Sequence, residues 1–505
     1  MMASMEKTLP PLIQALLAPR HYAGVSSVVL VQTHISWLLL AGDYAYKIKK
    51  PVKLPFLDFS TLERRYRCCL DELRLNRRLS PDIYLDVVAI FNTPQGPQFE
   101  GTGTPIEYAV KMRRFDQSMR LDHVCARGQL GVEHLSDLAD TLVSFHESAA
   151  VAPSSSPHGA AGEVLAPALD NLRELTGLLV GTAMQTRLAG LKAWTERQFV
   201  LLEPLMKARK RAGRVRECHG DLHLANMVLV DDHVRLFDCL EFNENLRWID
   251  VASDMAFTYV DLFAHGQPGL ANWFVNEVLS RSGDYEAALV LRFYAVYRAL
   301  VRAKVAAMTA DHGHGNSPDA TTYLALAERL MQPPKICLVI THGLSGCGKT
   351  HASGALLLSD PSACTLRLRS DVERKRLFGM LPTDRGESTL AGGIYGPDAQ
   401  MRTYDHLLAV SEMLLRASWS VIVDATFLKH ADRVMFRELA KDTGAVFSIL
   451  APQANPAQLR QRVQSRLEHG ADASDASLAV LEQQVQTIEP LRLEEVLVST
   501  GSPAG

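Results

Sequence analysis

The sequence predicts two consecutive domains of different class: an α+β, two-lobed fold over residues 1–332 and an α/β fold with a parallel sheet over residues 333–505. Three observations carry this. β-rich runs crowd the start of the chain, and a long leucine-rich helical block follows them, the order of an α+β domain. From Ile336 to Thr500, short apolar strands and helical patterns alternate, the order of a parallel α/β sheet. Pro333-Pro334 separates the two regimes just after a short helical stretch ending at Met331. At 505 residues the chain exceeds what one core ordinarily serves, and 47% hydrophobic content with a net charge of −3 describes a globular protein.

The first half opens with strand-like Val28–Val31 and Ser36–Leu40, separated by the polar Gln32-Thr33-His34. A Gly42-Asp43 turn then leads into Tyr44-Ala45-Tyr46-Lys47-Ile48-Lys49. Alternation puts Tyr44, Tyr46 and Ile48 on one face and Ala45, Lys47 and Lys49 on the other. Ser60-Thr61-Leu62-Glu63 reads as a capping box in which Glu63 is consumed, opening a helix whose apolar stripe is Leu62, Tyr66, Leu70 and Leu73. Glu72 lies at the edge of that stripe. Glu107–Met112 reads as a further strand, and Val151–Gly162 as a Pro/Ser/Gly/Ala loop ahead of helices that run through Leu202. Asp311–Pro318 is a loop of turn formers; His312 and His314 have no third ligand nearby, so it is read as a solvated loop.

Between these elements lies His219-Gly220-Asp221-Leu222-His223-Leu224-Ala225-Asn226, followed by Met227–Val230, Asp231-Asp232-His233 and Val234–Phe237, a hairpin that returns Asp238 beside Asn226. The five-residue step from Asp221 to Asn226 is the spacing of the protein-kinase catalytic loop. Gly220 stands where protein kinases have Arg, and Cys239-Leu240 replaces Phe-Gly. This half therefore resembles the aminoglycoside and choline phosphotransferase branch of the kinase-like fold. The resemblance implies that Asp221 takes the proton of an attacking hydroxyl, and that Asn226 and Asp238 hold magnesium. It also implies that Lys47, on a strand like V-A-I-K, meets the nucleotide phosphates with Glu72 as its ion-pair partner, Lys49 being the competitor. Glu241 is a candidate support for the metal shell. Trp248–Ala256 resembles the segment whose Asp braces the catalytic loop; Asp254 matches best, with Asp250 as its neighbour. No glycine loop precedes Lys47, so Thr33–Ser36 is left to cover the phosphates.

In the second half the run Ile336–His342 ends in Gly343-Leu344-Ser345-Gly346-Cys347-Gly348-Lys349-Thr350, and a helical pattern follows. Strand, G-x-x-x-x-G-K-T and helix together are the context of a phosphate-binding P-loop. Gly343, Ser345, Gly346, Cys347 and Gly348 would cradle phosphates with backbone N–H groups, Lys349 would reach the β/γ oxygens, and the Thr350 hydroxyl would bind magnesium. Val421–Thr426 is a short strand ending in Asp424, the position that acts on the magnesium shell. Arg369-Ser370-Asp371 with Arg374 resembles the substrate end of small P-loop kinases, including the polynucleotide kinase group. That likeness implies Asp371 as the group addressing the acceptor hydroxyl and Arg374 as a holder of an anionic substrate. Arg460, Arg462 and Arg466 precede a flexible acidic turn, Gly470–Ala476, and look like a lid; Arg462 and Arg466 share a face.

The whole chain is similar to bacterial proteins in which an aminoglycoside phosphotransferase-like domain is fused to a P-loop ATP-binding domain, which implies ATP and Mg2+ in both halves. The expected activity is transfer of the γ-phosphate to a hydroxyl of a small molecule in the first half and to a small-molecule or polynucleotide-type acceptor in the second. The alternative is a nucleotide-binding regulatory or scaffold protein with one catalytically silent half. Eight cysteines without C-x-x-C spacing support neither a disulfide framework nor a zinc site, and the bulk charge does not point to nucleic acid. No eighteen-residue apolar span or signal-peptide pattern is present, so a cytoplasmic protein without a membrane partner is expected. Oligomeric state is left open.

Overall fold

The computed structural model describes residues 9–54, 57–309, 318–381, 384, 394, 396–469, 474 and 476–499. The Asp311–Ser317 part of the histidine loop lies outside them, as does most of the acidic turn before Ser477.

The first lobe is a six-stranded antiparallel sheet in the order Val28–Gln32, Ser36–Ala41, Tyr44–Lys49, Glu107–Arg113, Tyr84–Thr93, Gly96–Gln98. Period-two alternation sorts its side chains. Leu39, Tyr46, Ile48 and Ile90 pack on one face with Ile13 and Leu16. Leu40, Ala45, Val110 and Met112 pack on the other with Cys69 and Leu73 of the helix Leu62–Arg77. That helix starts one residue later than the capping box requires. Thr61 is its N-cap, its side chain accepting from Arg64 N at 3.3 Å. Glu63 therefore faces solvent and pairs with Arg67 at 2.6 Å instead of closing a cap.

The second lobe is helical. Helices Val132–Ser148, Val251–Ala264, Pro268–Ser282 and Ala287–Thr309 bury most of their apolar residues in one cluster, with Ala161–Leu178 and Thr182–Arg211 laid against it. The hairpin Met227–Val230 with His233–Leu236 is in register, Met227 opposite Leu236. Its turn residues Asp231 and Asp232 have φ of 50° and 61°. Two left-handed residues give the turn a twist that matches the strands, and short polar Asp tolerates that region.

Beyond Pro333-Pro334 the chain forms a parallel sheet in the order Thr365–Arg369, Ser420–Asp424, Cys337–Thr341, Val446–Leu450. The Asp424 strand is thus adjacent to the strand that feeds the P-loop. The second half packs on the helical lobe through one continuous apolar core, which includes Phe274, Tyr259, Leu366, Leu368 and Trp419. Directed bonds cross the same surface: Tyr259 donates to Ala363 O at 3.1 Å and Trp419 Nε1 to Ala288 O at 2.9 Å. Among the described residues no helix is long and apolar enough to cross a membrane.

Candidate active sites

Between the lobes of the first half, strand alternation aims Lys47 and Lys49 at the helix Leu62–Arg77. Lys47 Nζ lies 2.8 Å from Glu72 Oε1 and also pairs with Asp238, while Lys49 bridges Glu72 and Glu241. Glu72 is fully buried, so its charge is tolerable only because both oxygens are paired. Burial works against the Lys47 cation, but Asp238 and Glu72 outweigh it and hold its pKa well above the ordinary lysine value. Burial likewise pushes Asp238 up, and Lys47 overcomes it, leaving the carboxyl below its usual range. Glu241 goes the other way, raised by burial in spite of Lys49. It is engaged by that lysine, in the same buried cluster as Asp238 and Glu72.

The same helix fixes the segment that carries Asp238. Glu72 and Asn76 lie one four-residue step apart on it, and Ser80 lies just past its end: the Asn76 side chain accepts from Cys239 N at 2.9 Å, and Ser80 Oγ donates to Leu236 O at 2.8 Å. Tyr84 OH accepts from Asp238 N at 3.0 Å. Asp238 has φ of 64°, an uncommon conformation for a residue with a side chain, held by these bonds.

The catalytic-type loop is gripped from behind by the helix Val251–Ala264. Asp254, Thr258 and Asp261 lie on one face at i, i+4 and i+7. Asp254 accepts from His219 N at 3.2 Å, Gly220 N at 2.9 Å and His146 Nε2 at 3.0 Å. Thr258 Oγ1 donates to Leu222 O at 2.8 Å, and Asp261 accepts from Leu224 N at 2.9 Å. Three side chains thus fix the backbone from 219 to 224. Asp250 belongs to a different network: it caps its own helix through Ala252 N and forms a two-bonded pair with the buried Arg209, shared with Asp284. Its charge is consumed there, so it is not a partner of Asp254 in the brace. Gly220 has φ of 87°, and a Cβ there would stand 3.0 Å from Leu246 O, which explains why no arginine occupies this position.

His219 is buried, its Nε2 donating to Phe237 O at 3.0 Å and its Nδ1 accepting from Asp221 N at 3.3 Å, and burial lowers its pKa. It is therefore a neutral spacer between loop and hairpin. Asp221 is partly exposed, with His223 Nε2 3.4 Å away. Burial opposes its ionisation, but His223 and then Arg302 prevail and hold it well below the usual carboxylate range. Asn226 Nδ2 donates to Asp221 O at 2.9 Å and to its Oδ2 at 3.3 Å, which turns the amide oxygen away from Asp221. Asn226, Asp221 and Asp238 supply only hard oxygen ligands, the donor set that suits magnesium.

In the second half Gly343, Gly346 and Gly348 all have positive φ, from 84° to 139°. At Gly346 a Cβ would come within 3.0 Å of Leu459 O, so the loop passes too close to the helix Pro456–His469 for any side chain. Lys349 opens the helix Lys349–Ser359 and folds back on Gly343 O and Leu344 O at 3.0 and 2.9 Å. Ser353 Oγ lies 3.2 Å from Asp424 Oδ2, which sets that carboxylate against the helix, and Thr350 and Asp424 line the same cleft. Thr350, Ser353 and Asp424 are again oxygen donors only. Arg462 donates to Gly346 O at 3.2 Å, and the Arg466 side chain lies outside the described residues. Across the cleft, Arg374 bonds Asp371 Oδ1 at 2.8 Å. Burial opposes, and Arg374 secures, the low pKa of Asp371. The cleft holding these groups has a volume of about 1140 Å³ and is lined by both Lys349 and Asp371.

Residues 338–491 match the family described as AAA domain. Over 455 residues the chain is 31% identical to "Uncharacterized protein Rv2004c" of Mycobacterium tuberculosis, the alignment covering 89% of this chain and 88% of the relative. "Uncharacterized protein Mb2027c" of Mycobacterium bovis matches to the same extent. The chain belongs to the family of these mycobacterial proteins. Solved structures similar to the first half include a choline/ethanolamine kinase family protein from Mesorhizobium loti, at 12% identity and a TM-score of 0.37 over 62% of this chain and 90% of that one. Amicoumacin kinase hAmiN, in complex with AMP-PNP, Ca2+ and Ami, is 13% identical with a TM-score of 0.39 over 63% and 90%.

Sequence reasoning missed several residues at these sites. Thr258 and Asp261 could have been found from their helical spacing behind Asp254. Gln484, whose Oε1 accepts from the P-loop amide of Ser345 at 2.8 Å, carries no local signal at all.

Proposed function

We propose that this protein is an ATP-dependent phosphotransferase with two nucleotide-binding modules, residues 1–332 and 333–505, working in the cytoplasm. The observation that carries the reading is common to both halves. Each gathers in one place a lysine, hard oxygen donors suited to magnesium, and an ionised aspartate where an acceptor would sit. A magnesium ion held by Asn226 and Asp238, or by Thr350 and Asp424, would offset charge on the phosphate oxygens.

In the first module Lys47 exchanges its contact with Asp238 for a phosphate oxygen while Glu72 keeps it in place. Asp221 accepts a hydrogen bond from the acceptor hydroxyl and aims its oxygen at the γ-phosphorus. Because Asp221 is a weak base, the hydroxyl proton passes to it only as the new O–P bond forms and the bond to the leaving diphosphate breaks. In the second module Lys349 leaves the carbonyls of Gly343 and Leu344 for the β/γ oxygens, Asp371 takes the role of Asp221, and Arg374 holds an anionic or nucleotide-type acceptor. Arg462 and Arg466 neutralise charge on the phosphoryl group in transit.

Calorimetric titration with magnesium and a non-hydrolysable ATP analogue tests this. Two nucleotides per chain are expected, and Lys349→Ala should remove one while sparing the other. A single site removed entirely by Lys349→Ala would favour a second reading, a regulatory first half that takes no nucleotide. Two features support that reading: Lys47 is already saturated by carboxylates, and the Thr33–Ser36 turn is tied to itself by Ser36 N on Thr33 Oγ1 at 3.0 Å.

A further inference from the structure

The magnesium side of the P-loop site is supported from the other half of the chain. Arg367, on the strand Thr365–Arg369, is buried beneath the helix that opens with Lys349. Its Nη1 donates to Thr350 O at 3.2 Å and lies 3.3 Å from Ser353 Oγ, the hydroxyl that also meets Asp424. On its other side the guanidinium lies 5.5 Å from the ring centroid of Trp273, which belongs to the first-half helix Pro268–Ser282. The indole is itself oriented, Nε1 donating to Ser136 Oγ at 3.2 Å. Gly354 lies beside this pair: a Cβ there would be in ordinary contact with both Arg367 Nη1 and Trp273 Cζ3, at 3.4 Å.

The surrounding surface is built for a fixed distance. Asn272 donates to Leu357 O at 3.0 Å and accepts from Thr365 N at 3.2 Å. Asn276 donates to Thr365 O at 2.8 Å and accepts from Arg367 N at 2.6 Å. Two asparagines on one helix thereby satisfy the outer edge of the Thr365–Arg369 strand, which has no strand neighbour on that side among the described residues. Gly269 approaches so closely that a Cβ would fall 2.1 Å from Leu358 O.

We propose that Trp273 is a positioning residue for the second site: it fixes Arg367, and Arg367 fixes the Thr350 carbonyl and the Ser353–Asp424 pair around the magnesium position, so that the first half completes the P-loop site of the second. This rests on the P-loop reading above and adds a dependence that the reading does not require. A cation set on an aromatic face, with one nitrogen shared between a carbonyl and a hydroxyl, is held in one geometry. Groups behind metal ligands act on metal affinity through that geometry.

The test is calorimetry on the full chain with a non-hydrolysable ATP analogue at a series of magnesium concentrations, Lys349→Ala identifying the share of the second site. Trp273→Leu is expected to raise the magnesium concentration for half-saturation of that site by about tenfold, leaving the first site unchanged. Trp273→Phe, which keeps an aromatic face, should stay within about twofold of the native chain. Arg367→Lys keeps the charge and loses the planar guanidinium that lies over the Trp273 ring, and should give the same shift as Trp273→Leu. The double variant should be no worse than Arg367→Lys alone, the mark of one residue acting through the other. A magnesium dependence unchanged in Trp273→Leu, whatever Arg367→Lys shows, with the Lys349-dependent site still present, would overturn the proposal and leave the P-loop reading intact. Loss of no site in Lys349→Ala would overturn both.

Discussion

Replacing Asp254 by Asn should loosen the whole catalytic-type loop. The carboxylate accepts three hydrogen bonds in a fully buried place, two from the backbone of His219 and Gly220 and one from His146. An amide of the same shape keeps one accepting oxygen. If that oxygen stays on Gly220 N, the new NH2 group faces His219 N–H, donor against donor. The chain loses a charge-assisted bond and leaves a buried N–H unpaired, together about 3–5 kcal/mol. For a domain of this size that lowers the melting temperature by about 10 °C. The displaced loop should also cost first-site turnover about a hundredfold, since it carries Asp221 and Asn226. His146→Ala is the control, because both carboxylate oxygens keep a backbone donor; its cost should be about 1 kcal/mol. Differential scanning calorimetry and first-site phosphate transfer read the two effects. An Asp254→Asn chain that melts like the native one and retains full transfer would refute the brace.

Other outcomes follow from the same geometry. Asp221, Asp254, Asp261 and Asp371 all have folded pKa values below their ordinary ones, and Glu495, where the bonds from Arg433 overcome burial, is held at about 2. Such groups stabilise the fold above their unfolded values, and that contribution is lost as pH falls through the folded ones; the melting temperature should therefore drop steadily from about pH 5 to pH 2. A flat profile there would contradict the assignments. Glu72→Gln leaves Lys47 and Lys49 facing one carboxylate fewer in a buried cluster, a loss of about 3–5 kcal/mol with weaker nucleotide binding at the first site, both read by calorimetry. Gly269→Val forces a side chain against Leu358 O, which cannot retreat without moving the helix, so thermal unfolding should show both halves destabilised by about 3 kcal/mol or more.

What could be read from the sequence was local. The Asp221–Asn226 step, the hairpin with Asp231-Asp232 and the glycines before Lys349 are short-range patterns whose geometry follows from spacing alone. Lys47 facing the Glu72 helix follows from strand alternation plus one helical stripe. Contacts between distant segments were not legible. Glu241 and Asp250 carry carboxylates at plausible positions, yet Lys49 and Arg209 claim them, and only tertiary packing decides that. The Glu63 assignment failed by a single residue of helix phase, since Thr61 took the cap in place of Ser60. Nothing in the residues around Pro333 indicates that Trp273, Asn272 and Asn276 would bind the second half so closely. That surface depends on residues far apart in the chain.

The proposed function requires that each half transfer phosphate on its own. The most direct measurement is transfer from γ-labelled ATP to a fractionated pool of metabolites and oligonucleotides, with native chain, Asp221→Asn and Lys349→Ala side by side. Two labelled products are expected, one lost only with Asp221→Asn and the other only with Lys349→Ala. Nucleotide binding without any labelled product, or loss of every product from either substitution alone, would contradict it.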